Sequence, residues 1–322
     1  MKNNLCSLTV LCFFLFALIG CDNEPKQDST ATETEMTQTD TLQEPFFKLS
    51  LAQWSLHKAL FAEEMSNLDF PRKAKELGFD GVEWVAHFFT DKAGDQAYLQ
   101  QMKDSTDAAG VKNLIIMIDG KGDLAVNNKK ERDAAVEAHK VWVDAAKFLG
   151  CHSVRVNLFG DGTPEEWHAA ATDGLGRLAK YGQEQGINVI VENHGGLSSD
   201  SKKLVAVIEE VGADNVGTLP DFGNFCIARE GGGRWEGKCI EEYDRYRGTK
   251  EMMPYAKAVS AKSYDFDAEG KETKIDFGKM LRIVKEHNYD GYIGVEYEGE
   301  NLGETDGIIR TRDLLLAEAR KM

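Results

Sequence analysis

The sequence predicts an α/β fold, a single closed (β/α)8 barrel, and three observations support that prediction. From about residue 46 onward, amphipathic helical segments alternate with short apolar segments, and a glycine often ends the helix. The alternation recurs eight times, and 46–322 is about the length of one such barrel. No GxGxxG follows the first strand and no GxxxxGK[ST] occurs, so an open nucleotide-binding sheet has no support.

The predicted strands are short runs rich in apolar and β-branched residues. They are 48–54, 79–84, 111–118, 151–158, 187–194, 216–221, 258–264 and 291–297. The predicted helices carry apolar residues at helical spacing, and several end at glycine. They are 68–77, 95–109, 129–149, 164–185, 201–211, 275–287 and 307–319. The connection 225–248 is long for a barrel, which is typical of a lid, although a plain surface insertion fits equally.

The first twenty residues predict an export signal. Lys2 precedes an apolar run from Leu5 to Ile19 that is too short for a spanning helix. The run leads into LIGC at 18–21, which resembles the lipobox of bacterial lipoproteins and implies cleavage before Cys21 and lipid attachment to its thiol. A plain secreted protein and an uncleaved anchor are the alternatives. The expected location is the bacterial cell envelope, with this lipid as the only membrane contact and the domain facing the periplasm or the surface.

The composition changes between the signal and the barrel. Residues 21–45 are rich in Thr, Ser, Gln and acidic residues without apolar periodicity, which predicts a disordered tether. The formal net charge of −16 argues against a nucleic-acid partner, because phosphate binding needs a basic surface. The sequence therefore predicts three parts: a signal peptide (1–20), an acidic linker (21–45) and a barrel (46–322).

Two cysteines flank a glycine-rich part of the long connection. An oxidising envelope compartment would permit a bridge between Cys226 and Cys239, and the sequence leaves both the bridged and the free state open. Their spacing lacks the CxxC form of a structural zinc site. Cys151 opens an apolar strand and is expected to be an inert core residue.

Acidic residues occur at the ends of three predicted strands, at Glu192, Asp221 and Glu296. The carboxyl ends of barrel strands meet on one face, and chemistry is done on that face. We therefore expect the three carboxylates to meet around a divalent cation. Each residue taken alone also fits a solvated rim position.

Four motifs in chain order resemble a known family. GFDGVE at 78–83, VENH at 191–194, PDFGN at 220–224 and GVEY at 294–297 are similar to signatures of the xylose isomerase-like TIM-barrel superfamily, which includes the sugar phosphate isomerases/epimerases. The resemblance covers nearly all of 46–322. It implies a divalent metal (manganese, magnesium, cobalt or zinc) whose acidic ligands correspond to Glu192, Asp221 and Glu296.

The seventh strand departs from the family pattern His-x-Lys-Asp. Lys262 matches, but Ser260 stands where the family has a histidine ligand. Three interpretations remain open. His194, on the same strand face as Glu192, could supply the nitrogen ligand. A hard cation such as magnesium or manganese could bind three carboxylates and water. Metal binding could also be weakened or lost.

The resemblance implies proton abstraction next to a sugar carbonyl through an enediolate. Glu192 and Glu296 would be the base and acid, while Lys262 would neutralise the developing charge. The side chains expected to contact a small sugar or sugar derivative are Trp54, His57, Glu83, His87, Arg155, Asn157, His194 and Trp235. Taken alone, Trp54 and Trp84 fit the core better than a stacking position against a sugar.

Two other functions stay open. An exported relative could apply the same enolate chemistry to 3-keto-glycosides, as a lyase or hydratase. A non-catalytic sugar-binding lipoprotein is motivated by Ser260. The superfamily's DNA-repair endonucleases need more histidines than the strand ends supply.

Overall fold

A computed structural model describes residues 44–322. The predicted signal peptide, Cys21 and the linker up to residue 43 lie outside the described residues. Within 44–322, every helix is too short or too polar to serve as a membrane span.

The described chain contains ten strands, eight of which form the barrel. In chain order they are β1 (Lys48–Ala52), β2 (Gly81–Val85), β3 (Lys112–Met117), β4 (Ser153–Val156), β5 (Asn188–Glu192), β6 (Val216–Leu219), β7 (Cys226–Arg229), β8 (Cys239–Glu242), β9 (Val259–Ser263) and β10 (Tyr292–Tyr297). The barrel strands pair in parallel in the order β6-β5-β4-β3-β2-β1-β10-β9. Strands β7 and β8 form a separate antiparallel hairpin. The predicted eight-stranded barrel is therefore confirmed.

The barrel closes between β6 and β9, just beyond the regular part of β6. The N–H of Phe222 donates to the carbonyl of Ser260 at 3.0 Å, and the N–H of Ser260 donates to the carbonyl of Pro220 at 2.9 Å. This pairing places Asp221 beside Ser260. Closure thus brings residues of two strands that are distant in sequence to the same end of the barrel.

Nine α-helices lie in the described part of the chain. They are α1 (His57–Phe61), α2 (Phe70–Glu76), α3 (Gln96–Ala109), α4 (Lys129–Leu149), α5 (Pro164–Gln185), α6 (Ser201–Val211), α7 (Arg245–Met252), α8 (Phe277–Glu286) and α9 (Glu304–Ala319). The predicted bounds of helix α5 agree with the structure, and its terminal residues show why. Thr163 and Glu166 form a reciprocal capping box, Pro164 occupies the first turn, and Gly186 ends the helix at φ 75°.

The strand pleat separates two apolar regions. Outward side chains such as Val154, Val191 and Val295 pack against the helices in the main core. Inward side chains such as Ile115, Ile190 and Leu219 form a smaller cluster inside the barrel. Polar inward side chains are concentrated toward the carboxyl ends of the strands, so this end carries the candidate site.

Two predictions about the elements need correction. The strands are shorter than predicted: β5 stops at Glu192 rather than at 194, because Asn193 turns its amide to the carbonyls of Asp221 and Asn224. The long connection is also not a bare loop, since it contains β7, β8 and the start of α7. A disulfide joins Cys226 to Cys239 with 5.9 Å between their Cα atoms, which settles the question the sequence left open.

Candidate active site

Three buried carboxylates meet at the carboxyl end of the barrel. Glu192 ends β5, Asp221 follows β6 and Glu296 lies near the end of β10. Each offers one oxygen within 4.8 Å of the other two. Burial raises the pKa of Asp221 to about 6 and also raises the pKa values of Glu192 and Glu296. Three such groups repel one another as anions. A bound cation would offset both this repulsion and the free-energy cost of burying their charges.

Neighbouring groups fix the direction of two of these carboxylates. On Glu192, Oε2 lies 2.9 Å from Nε of Arg155, and Oε1 accepts from the Asn224 amide at 2.8 Å. On Asp221, Oδ1 accepts from the backbone N–H groups of Gly223 at 2.8 Å and Asn224 at 2.9 Å. The PDFGN segment thus holds Asp221 through its own backbone and Glu192 through the side chain of Asn224.

Ser260 lies between the carboxylates of Asp221 and Glu296. Its hydroxyl donates to Oδ2 of Asp221 at 2.5 Å and lies 3.3 Å from Oε2 of Glu296. The position where the family resemblance led us to expect an imidazole therefore holds a hydroxyl that bridges two carboxylates. The donor set is entirely oxygen, which fits a hard cation such as magnesium or manganese better than zinc.

Lys262 is a buried cation beside the cluster. Its Nζ lies 3.6 Å from Oε1 of Glu296 and 3.2 Å from Oε2 of Glu298. Burial alone would lower the pKa of Lys262, but the surrounding carboxylates of Glu296, Glu298 and Asp221 hold it well above its usual value. The ammonium is therefore charged and directed at the mouth of the barrel.

A second polar network lies against the first. Asp119, directly after β3, accepts from Arg155 Nη1 at 2.8 Å and from the Asn157 amide at 2.7 Å. The Asn157 oxygen faces Nδ1 of His194 at 2.7 Å, so Nδ1 carries the proton and Nε2 presents a lone pair. Burial, reinforced by the charge of Arg155, lowers the pKa of His194 to about 3. His194 is therefore neutral and held in one tautomer.

A cavity of about 450 Å³ opens above these groups. Its lining residues come from several strand ends and from the β7–β8 hairpin. They are Trp54, Val85, His87, Asp119, Arg155, His194, Asn224, Arg229, Trp235, Lys262, Tyr264, Glu296 and Glu298. Two aromatic walls face it: Trp54 stacks on His57 at 4.9 Å between ring centroids, and Trp235 packs on His194 at 4.8 Å. The combination of flat rings and fixed polar groups is suited to a hydroxylated small molecule.

The cavity gathers most of the side chains that the sequence nominated for it. Those that line it are Trp54, His87, Arg155, His194, Trp235, Lys262 and Glu296. Glu192 and Asp221 lie at the carboxylate cluster rather than in the lining. His57 lies behind Trp54, with Nδ1 2.8 Å from the Trp54 carbonyl oxygen, and Asn157 lies behind His194.

The prediction that Glu83 contacts substrate is not supported by its position. Glu83 is in the middle of β2, inside the barrel, where Ser50 Oγ donates to its Oε1 at 2.7 Å. Its other oxygen has no partner among the described residues. Burial raises the pKa of Glu83 to about 7. Val85, two residues further along the same face, lines the cavity in its place.

His194 does not belong to the cluster of three carboxylates. The interpretation in which its imidazole replaces the missing histidine ligand therefore gains no support. The position of His194 against Asn157 and Trp235 fits instead the contact with substrate that was also predicted for it.

Several cavity residues were missed. Asp119 directly follows the third predicted strand, so the rule that found Glu192 would also have found it. Tyr264 lies two residues beyond Lys262 on the same strand face. The sequence also places Glu298 on the same face as Glu296, at the end of the eighth predicted strand, but assigns it no role. Arg229 had no signal in the sequence, because only the folded hairpin brings it to the cavity.

A closed parallel barrel with carboxylates, a buried lysine and a polar cavity at its carboxyl end defines a TIM-barrel protein with a candidate cation-dependent active site. Comparison with known proteins agrees with that class. The chain belongs to the xylose isomerase-like TIM barrel family, whose model matches residues 71–319.

Solved structures with the same fold include sugar epimerases. D-psicose 3-epimerase, solved in the presence of D-fructose, is similar with a TM-score of 0.61 and 15% identity over 85% of this chain and 96% of that chain. 3-keto-D-glucoside 4-epimerase from E. coli has a TM-score of 0.61 and 14% identity over 84% of this chain and 99% of that chain. A xylose isomerase-like protein from Mycobacterium smegmatis in complex with magnesium has a TM-score of 0.62 and 16% identity over 87% and 99%. The TM-scores show a shared fold, and at identities this low the similarity shows the fold alone.

A curated relative matches a short part of the chain. The C-glycoside deglycosidase alpha subunit of Arthrobacter globiformis is 38% identical over 61 residues, which is 18% of this chain and 17% of the relative. The chain therefore aligns with less than a fifth of that protein.

Proposed function

We propose that this protein is a divalent-cation-dependent enzyme of the sugar isomerase/epimerase type, which removes a proton from the carbon next to a sugar carbonyl. The observation that carries the proposal is the meeting of Glu192, Asp221 and Glu296 beside the buried ammonium of Lys262. Such an arrangement combines bases for a proton with positive charge for the oxyanion that its removal creates.

The cation would be held by Glu192, Asp221 and Glu296. When bound, it would act as a Lewis acid that polarises the sugar carbonyl and makes the C–H group of the neighbouring carbon more acidic. Magnesium and manganese fit the all-oxygen donor set, and a solved relative of the same fold is described in complex with magnesium.

Two carboxyl groups of the chain would act as general base and general acid. Glu192 on β5 and Glu296 on β10 are separated by β6 and β9, so they approach a bound sugar from different sides. One would take the proton as base and the other would return a proton as acid. Burial raises the pKa of both carboxyl groups in the metal-free protein, and a bound cation would favour their ionised forms, one of which can accept the proton.

Other side chains would position the sugar. Lys262 would stabilise charge on the enediolate oxygen, and Trp54 and Trp235 would cover the C–H faces of the ring. Arg155 and the neutral imidazole of His194 would hold hydroxyls, since Nε2 of His194 presents an acceptor. Residues that lie behind these groups, such as His57 and Asn157, would fix their orientation.

A lyase or hydratase acting on 3-keto-glycosides is the second candidate. The names of two similar proteins favour it: a 3-keto-D-glucoside 4-epimerase and a C-glycoside deglycosidase subunit. The chemistry begins with the same proton abstraction and would use the same carboxylates.

The test is deuterium incorporation from heavy water into D-psicose, D-fructose and a methyl 3-keto-glucoside, followed by NMR. We expect exchange next to the carbonyl in the metal-loaded protein and a loss of at least about 100-fold in Glu296→Gln. Exchange that survives in Glu296→Gln would contradict the assignment. Tight binding of all three sugars without any exchange would support a non-catalytic sugar-binding protein instead.

From the sequence alone, we also propose that the chain is exported and lipidated at Cys21, which places the domain in the bacterial cell envelope. Labelled palmitate should enter the full-length protein but not its Cys21→Ala variant. Equal labelling of both, or of neither, would reject this proposal.

A further inference from the structure

A second cavity of about 510 Å³ adjoins the first. It lies between the segment after β4, the segment after β5 and the β7–β8 hairpin. Arg229 lines both cavities, so they meet at this residue. The first cavity is by itself in the size range of a small-molecule site, and one sugar ring does not require the second.

Three aromatic side chains form the partition between the two spaces. Trp235 faces the first cavity, Phe159 faces the second, and their ring centroids are 5.6 Å apart. The ring of His194 lies 4.8 Å from Trp235 and 5.8 Å from Phe159. Arg234 covers the other side of Phe159 with its guanidinium 4.1 Å from the ring centroid. A molecule that crosses this partition would therefore meet aromatic surface on both sides.

Glycines form part of the wall of the second cavity. Gly195 and Gly196 both contribute to it. The N–H of Gly195 donates to Ser199 Oγ and its carbonyl accepts from Ser198 Oγ, both at 2.8 Å, whereas Gly196, at φ 61°, has open space where a Cβ would lie. The open space at Gly196, in a wall that also contains the ring of Phe159 and the guanidinium of Arg229, leaves room for a hydroxylated or aromatic group.

Arg229 supplies a donor at the junction. Its guanidinium donates to the carbonyl of Gly237 at 3.1 Å, and within residues 44–322 it forms no ion pair with a carboxylate. Arg234, its neighbour on the hairpin, is by contrast neutralised by Asp123 at 2.8 Å. The remaining N–H groups of Arg229 are available to an oxygen that bridges the two spaces.

We propose that the second cavity binds the aglycone side of a glycoside, so that the substrate class is an oxidised glycoside with an intact second sugar or aromatic group. The reacting sugar occupies the first cavity, its glycosidic oxygen passes Arg229, and the second group rests against Phe159 and the glycine backbone. This inference rests on the proposed function and narrows its substrate.

The test compares two probes that share the reacting ring, a methyl 3-keto-glucoside and a 3-keto-disaccharide, by deuterium exchange from heavy water. In the wild-type protein we expect kcat/KM for the disaccharide to exceed that for the methyl glycoside by at least about tenfold. Ala228 lines the second cavity and not the first, so Ala228→Phe should lower this ratio by about tenfold. The matched control is Ile240→Phe on the same hairpin, where the side chain is 63% exposed and the ratio should not change.

Failure of this inference can be told apart from failure of the proposed function. Equal exchange of both probes in the wild type and in Ala228→Phe would overturn the second subsite and leave the proposed function intact. Exchange of free D-psicose with silence toward both glycosides would do the same. Silence toward all three sugars would overturn the proposed function and the subsite together.

Discussion

At the scale of single residues, Ser260 sets this site apart from the pattern its family led us to expect. A hydroxyl has one proton to donate, and here it goes to Asp221 at 2.5 Å while Glu296 lies 3.3 Å away. Without a cation, the charge of Lys262, this hydrogen bond and the N–H group of Gly223 together favour the ionised form of the Asp221 carboxyl group against its burial. Ser260 therefore acts on the electrostatics of the cluster.

Replacing Ser260 with Ala should lower the free energy of unfolding of the metal-free protein by about 1–2 kcal/mol, because the Asp221 carboxylate loses a buried donor. Saturating Mn²⁺ should shrink the deficit, since a cation neutralises the carboxylates directly. Chemical denaturation with and without the ion measures both. Ser263→Ala is the matched control, because Ser263 hydrogen-bonds Thr311 away from the cluster. If Ser260→Ala lowers the free energy of unfolding by the same amount with and without Mn²⁺, this account is contradicted.

Glu83 predicts a dependence of stability on pH. Burial raises its pKa from 4.5 to about 7, with Arg155 and Glu192 as the nearest charged influences. The folded protein holds this proton more tightly than the unfolded chain, so the stabilisation is complete below pH 4.5 and is lost as the pH rises through 7. The loss amounts to about 3 kcal/mol.

Glu83→Gln stays neutral at every pH. The difference in unfolding free energy between this variant and the wild type should therefore shift in favour of the variant by about 3 kcal/mol between pH 4.5 and 8. Urea titrations across that range measure the shift. Glu184→Gln, an exposed position on α5, serves as control and should show no such trend. Parallel pH profiles for Glu83→Gln and wild type would show that Glu83 is ionised normally.

At the scale of elements, the β7–β8 hairpin is the part of the site that no barrel strand provides. It delivers Arg229 and Trp235 to the cavity, although the side chain of Trp235 remains 48% exposed. The disulfide between Cys226 and Cys239 ties the two strands of this hairpin together. The bridge thus restricts the conformations of a hairpin that lines the candidate cavity rather than those of the barrel strands.

Removing the bridge by Cys226→Ser together with Cys239→Ser should raise KM about 3- to 10-fold with a smaller effect on kcat, because the hairpin must be ordered when the sugar binds. Hydrogen exchange should increase in 226–242 and stay unchanged in the barrel strands. Dithiothreitol should reproduce the effect in the wild type and add nothing in the double variant. Loss of protection throughout the barrel would show that the bridge stabilises the whole fold instead.

At the scale of the whole molecule, barrel closure couples the site to stability. Glu192, Asp221 and Glu296 belong to different strands, so the barrel must form before their oxygens come within 4.8 Å of one another. An ion that binds only this assembled cluster stabilises the folded state by mass action.

Addition of Mn²⁺ or Mg²⁺ to chelator-treated protein should therefore stabilise it by about 2.7 kcal/mol at 100 times the Kd, which corresponds to a rise of roughly 5–10 °C in Tm. Asp221→Asn keeps the acceptor for the N–H groups of Gly223 and Asn224 but removes a charge, and it should abolish the shift. Differential scanning calorimetry of the wild type and of Asp221→Asn, with and without the ion, measures these Tm values. A wild-type Tm that is indifferent to both ions would favour the interpretation in which Ser260 accompanies loss of the metal.

The sequence by itself determined the barrel and the three carboxylates. Apolar periodicity and glycine stops located the eight barrel strands and seven of the nine α-helices of the described residues. The rule that parallel strands end on one face brought Glu192, Asp221 and Glu296 together. Both signals occur within short stretches of sequence, so they can be recognised without knowing which segments are in contact.

The tertiary structure decided how deep each side chain lies and what surrounds it. Strand alternation gives the face of Glu83 but not its level: Glu83 lies beside Gly294, where a Cβ would be 2.5 Å from its Oε1, and therefore one layer below Glu296. The contact of Ser260 with Asp221, and the arrival of Arg229 at the cavity, depend likewise on closure of the barrel and on the folded hairpin. These are contacts between segments far apart in the chain, and no local pattern encodes their geometry.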